Sequence, residues 1–150
     1  MRTEERETGG KHYAPPSEGA TERDIKAAEE YRRISRVNDT EIIARNSGLS
    51  VKDIVTIKRH IFFEKHKTYD GYELLQPDYD IAVAWNRLRE GRPEARDILL
   101  LRHELLESQI EKECNCTLAE AHAEAQSVYN WSAEMDNIFG EYGGEPDGLL

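Results

Sequence analysis

Residues 97–113 read DILLLRHELLESQIEKE, and residues 117–131 read TLAEAHAEAQSVYNW. Both repeat apolar residues at helical spacing, and neither shows the two-residue alternation of a strand. Leu118, Ala121, Ala125, Val128 and Tyr129 share one face of the second helix, and His122 falls within it. On the first helix, at about 100° per residue, His103 lies within about 40° of Leu99 and Ile110, and Glu107 follows one turn on. The link at Cys114–Thr117 is short, and short links make antiparallel neighbours. Folding the pair about residues 115–116 sets Glu107 level with His122 and His103 one turn away. The pattern predicts that His103, Glu107 and His122 converge.

Burial disfavours a charged carboxylate unless it is paired, protonated or bound to a metal. Two imidazoles and a carboxylate meet that need. They are also the ligand set of a catalytic zinc site with one open position, or of a metal-free acid/base cluster. Glu104, beside His103, is placed to act as the base. The order His-Glu-x-x-Glu departs from the His-Glu-x-x-His of helical zinc peptidases at its second ligand. The structural alternative is a core His122 bonded to a backbone carbonyl, with Glu104 and Glu107 on a wet edge.

Helix signals also dominate upstream. Thr21 with Asp24 resembles a capping box and opens a helix to about Arg36. Asp39 or Thr40 caps a short helix over Glu41–Asn46, which Gly48 stops in a left-handed conformation. Ser50 with Asp53 caps a third, from Val51 to about Lys65. Lys67–Pro77 reads as a loop with a short strand at Tyr72–Leu75. Asp78 or Asp80 caps a fourth helix, Ile81–Arg89, ended at Gly91-Arg92-Pro93. A fifth runs from about Glu94 to Glu113 and a sixth from Leu118 to about Phe139. The expected fold is all-α, a compact bundle of about six helices. Residues 21–139 form its single domain, residues 1–20 a flexible arm rich in Gly and Pro, and residues 140–150 a flexible tail.

The chain has 150 residues, 30 acidic against 20 basic, with a net charge of −10. That length suits one domain. No apolar run reaches the roughly 20 residues that a membrane helix needs, and the N-terminus has no apolar signal region. Cys114 and Cys116 are too close in sequence to bridge easily and too few for a zinc site. Reduced thiols and a cytoplasmic location are expected. Charge is uneven: residues 32–68 hold nine basic and four acidic side chains, whereas residues 69–150 hold six and eighteen. The net negative charge excludes a protein that coats nucleic acid with its whole surface.

The basic block contains TEIIARNSGLSVKDIVTIKRHIF, residues 40–62, spaced like a helix-turn-helix. Ala44 allows close approach, Gly48 makes the turn and Ile54 plugs the groove between the helices. Lys52, Lys58 and Arg59 can reach phosphates. The exposed start of the second helix offers no Asn, Gln or Arg for bidentate base reading, so a plain packing pair is the competing interpretation. His60 is assigned to the polar face of this helix, and His66 lies near its end. Asp80 caps the next helix and Arg87 follows two turns on. Set across one cleft from His103, the group His66, Asp80 and Arg87 would suit hydrolysis of an anionic ester.

Four segments taken together, KRHIFFEKH (58–66), PDYDIAVAWNRL (77–88), DILLLRHELLE (97–107) and AEAHAEAQSVYNW (119–131), resemble a helical domain found at the C-termini of phage head-morphogenesis proteins and bacterial polymorphic toxins. The resemblance covers about residues 38–132. It implies a phage- or toxin-linked module and puts these histidines and carboxylates in one shared site. The chain opens on methionine without the long delivery region of such toxins, a departure that leaves room for a free-standing phage or mobile-element protein. The leading expectation is a small hydrolase using His103, Glu104, Glu107 and His122, either as a metal-free acid/base cluster or with a divalent metal such as zinc on His103, Glu107 and His122. One alternative is a non-catalytic module docking a protein partner through its acidic half. The other is a DNA-binding protein acting through residues 40–62.

Overall fold

The computed structural model describes residues 20–141 and 143–150. The expected arm lies outside them, apart from Ala20. Among the described residues the chain is mostly helical, as expected, with seven helices and one small hairpin. The helices are α1 (Glu22–Ile34), α2 (Thr40–Ser47), α3 (Val51–Phe62), α4 (Tyr79–Glu90), α5 (Ala95–Cys114), α6 (Leu118–Val128) and α7 (Trp131–Phe139). Strands β1 (Lys65–Thr68) and β2 (Gly71–Leu74) lie between α3 and α4 and pair antiparallel, with Lys65 opposite Leu74 and Thr68 opposite Gly71. No helix among the described residues is long and apolar enough to cross a membrane.

The caps follow the side chains. Thr21 and Asp24 form a capping box, as do Thr117 and Glu120. Ser50 accepts from the Asp53 amide, and Asp78 from that of Ile81. Gly48, at φ 84°, closes α2 in the left-handed region that a Cβ disfavours. Asp39 precedes α2 but does not cap it with its side chain. Its carboxylate faces inward instead, accepting from Trp85 Nε1 at 3.0 Å and Lys58 Nζ at 2.7 Å. Around that polar anchor the core is aromatic. Phe62 meets Tyr31 and Trp85 edge-on, with ring centroids 4.7 and 5.2 Å apart. Ile43, Ile54, Ile57, Leu88, Leu100 and Leu101 fill the rest.

Three expectations change. The sixth helix is two: Tyr129 turns extended, and Asn130 accepts from the Ala133 amide to start α7. An Asn placed before a new amphipathic turn competes well with helix continuation. Asn130→Ala is expected to cost about 1 kcal/mol, read as a lower urea midpoint at unchanged slope. The loop at 67–77 is partly a hairpin, because Gly71, at φ 121°, lets the chain reverse after Thr68. Cys114 and Cys116 are held side by side rather than apart. Asn115, left-handed at φ 54°, brings their Cα atoms to 5.2 Å, inside the bridging range.

The C-terminal segment also differs from a loose tail. Glu145 is buried, accepting from Arg87 and Arg96, and its amide donates to Asp80 Oδ1. Tyr79 Oη donates to the Pro146 carbonyl and accepts from the Leu149 amide. A Cβ on Gly144 would lie 2.7 Å from the Asp80 carboxylate, so glycine is what lets this backbone approach. The tail contains few apolar residues, and composition does not reveal an attachment made through ion pairs.

Candidate functional site

Helix α5 packs against α3 on one side and α6 on the other. Its residues His103, Glu107 and Glu111 are spaced four apart and form one stripe. The stripe is buried at His103 and Glu107 and grades toward solvent at Glu111. Each member meets imidazoles from the flanking elements.

At the first level, His103 Nε2 lies 3.2 Å from His122 Nδ1 and 3.4 Å from Glu107 Oε2. His122 Nδ1 lies 2.9 Å from the same carboxylate oxygen. The convergence expected of His103, Glu107 and His122 is therefore present. His122 is not inside the apolar face, however. Its side chain is 47% exposed, at the rim of α6, and makes this the open end of the cluster. His103 Nδ1 donates to the Tyr129 carbonyl at 2.9 Å. That bond fixes the ring and turns Nε2 into the cluster.

One level in, the other oxygen of Glu107 accepts from His60 Nε2 at 2.7 Å. His60 is fully buried, which corrects its placement on a polar face. The signal was its three-residue spacing from Ile57, which puts both on one side of α3. Glu104 is also buried, with Oε1 3.3 Å from His60 Nε2 and no hydrogen bond of good geometry. The third level pairs His66 Nδ1 with Glu111 at 2.9 Å, while His66 Nε2 donates to the His60 carbonyl. Glu111 was missed. Its place on the 103/107/111 stripe was the available clue.

Electrostatics follow the geometry. Burial pulls the His60 imidazole toward neutrality, but Glu104 and Glu107 overrule it and push its pKa up to about 10. His103 moves the same way: burial lowers it, and Glu107 and Glu104 raise it by more. Burial would raise the Glu107 carboxyl, yet His103 and His60 hold it well below the usual carboxylate range. Glu107 is thus an anion at neutral pH.

The other expected residues lie elsewhere. Lys58 is buried in its pair with Asp39 and cannot also contact phosphate; it was mistaken for a surface cation because its helix has a second buried side. Arg59 is exposed, 3.7 Å from Glu64. Asp80 and Arg87 do not join His66 and His103 across a cleft. Two carboxylates, Asp97 and Glu145, claim the Arg87 cation first, and Asp80 is taken by Arg23 and the Glu145 amide.

A cleft of about 520 Å³ opens beside the first level. His103, Glu104, Glu107 and His122 line it on one side, and Ile81, Leu118 and Trp131 are among its apolar walls. Comparison with protein-family models, curated proteins and solved structures finds no match for the chain.

Proposed function

We propose that this protein is a small metal-dependent hydrolase in which His103, Glu107 and His122 hold a divalent transition ion, with zinc the best fit. One observation carries the reading. Around tetrahedral zinc with bonds of about 2.0–2.1 Å, ligand atoms stand about 3.3 Å apart. The three donor atoms here are 2.9, 3.2 and 3.4 Å apart. They would form one triangular face of such a site.

Outer contacts support the same reading. The Tyr129 carbonyl orients His103, and His60 orients Glu107 through its second oxygen. Metal ligands characteristically carry such second partners. A bound ion would lower the pKa of a coordinated water to about 7. Glu104, which lines the cleft beside the cluster, is the base of this reading, taking a proton from the attacking water. The resemblance to phage and toxin modules suggests the setting, an enzymatic domain of that kind.

The test is metal content. The full chain, dialysed against zinc at pH 7, should retain one equivalent, and cobalt(II) in its place should give the visible bands of a tetrahedral site. His122→Ala should retain none while its circular dichroism stays helical. Glu104→Gln should keep the ion, and growth arrest on bacterial expression, if wild type causes it, should vanish in both variants. A wild-type protein that retains no stoichiometric ion would overturn the proposal.

A further inference from the structure

We infer that the substrate group seated beside the site is uncharged and aliphatic or aromatic, on the carbonyl side of an amide or ester, and that phosphoesters are not substrates. The inference rests on the hydrolase reading of the same site and names its substrate class.

The walls of the cleft carry the argument. Apart from the cluster, its lining includes Ile81, Leu118, Ala119, Leu75 and Trp131. Among the described residues, no lysine or arginine lines it. The charged residues present are acidic or are the cluster's own histidines: Asp78, Glu104 and Glu107 are the carboxylates. Phosphoryl transfer needs cationic clamps on the equatorial oxygens, or a second metal ion. Arg87, the cation that the sequence sets across from His103, is consumed by Asp97 and Glu145. Among the described residues the cleft therefore offers a phosphoester no lysine or arginine clamp, and places Asp78 and Glu104 beside the ion instead. An apolar side chain would displace water from apolar walls, a favourable transfer.

The chemistry balances with water alone. Water oxygen bonds to the carbonyl carbon as Glu104 accepts its proton. The bond from that carbon to the leaving nitrogen or oxygen then breaks, and the proton passes to the leaving atom. The products are a carboxylic acid and an amine or alcohol.

Zinc-loaded full chain, titrated calorimetrically with small hydroxamates and a phosphonate, tests the inference. 3-Phenylpropanohydroxamate should bind at least about tenfold tighter than acetohydroxamate, the gain expected from burying a phenyl group. Phenylphosphonate should bind more weakly than either. Leu118→Asp should bring the two hydroxamates within about threefold, with zinc content unchanged. Ala119→Asp is the second variant, and both lie in the first turn of α6, where an acidic residue favours the helix. Equal affinity of the two hydroxamates for wild type, or tightest binding of the phosphonate, overturns the inference while leaving the metal site standing. Failure to load zinc overturns the hydrolase reading itself, and this inference with it.

Discussion

Replacing Arg87 by leucine is expected to cost about 3–5 kcal/mol, a large share of what a domain this size has. The guanidinium makes a two-pronged contact to Asp97, 2.8 Å on each arm, and reaches Glu145 at 2.6 and 3.1 Å. Both carboxylates are buried. Removing the cation leaves Asp97 as an unpaired charge in the interior, held only by the Glu94 amide at the start of α5. Arg96 still pairs with Glu145, so that side suffers less. Urea unfolding of Arg87→Leu should show the loss. Arg87→Lys should show a smaller one, about 1–3 kcal/mol, because a point charge cannot match both forks. A leucine variant within 1 kcal/mol of wild type would mean that the network contributes little.

The same network has a pH signature. Burial alone would raise the Glu145 carboxyl, but Arg87 and Arg96 hold it below its ordinary range. A depressed folded-state value stabilises above the unfolded value, near about 4.3, and that contribution is lost as pH falls through the folded value. Acidification below about pH 4 should therefore release residues 143–150 before the bundle unfolds. Faster exchange of the Leu149 amide, which donates to Tyr79 Oη, would report it.

Glu107→Gln is the second change with a large expected effect. It removes the anionic ligand and lowers the charge that offsets two imidazoles. Zinc affinity should fall by more than the roughly 10–100-fold typical of outer-shell losses. His60→Gln supplies the comparison, since it removes only the group orienting Glu107 and should fall within that range. Competition with a colorimetric chelator measures both. Equal retention of zinc by wild type and Glu107→Gln would remove this carboxylate from the site and the metal reading with it.

Much of the fold was legible, because its helices are marked by capping boxes and by apolar residues on one face. The convergence of His103, Glu107 and His122 followed from helix periodicity and a short link. His60 reads as a polar-face residue in the sequence, because an imidazole among isoleucines looks polar until the carboxylates that pair with it are placed. Lys58 failed for the related reason that its Asp39 partner sits 19 residues away. Arg87 was assigned to the wrong cluster because the competing acid, Glu145, lies 58 residues downstream in a glycine-rich stretch. Long-range polar pairing leaves no periodic trace, and every misplaced candidate was a charged or titratable side chain satisfied that way.

The break between α6 and α7 has a bearing on engineering. In an unbroken helix the carbonyl of Tyr129 would be spent on the amide four residues ahead. Here that amide, of Ala133, turns to Asn130 Oδ1, and the Tyr129 carbonyl is shared between His103 and the Trp131 amide. A designer who smoothed this corner into one long rod would gain regularity and unhook an imidazole, so the irregularity is the hinge pin on which the ring is hung.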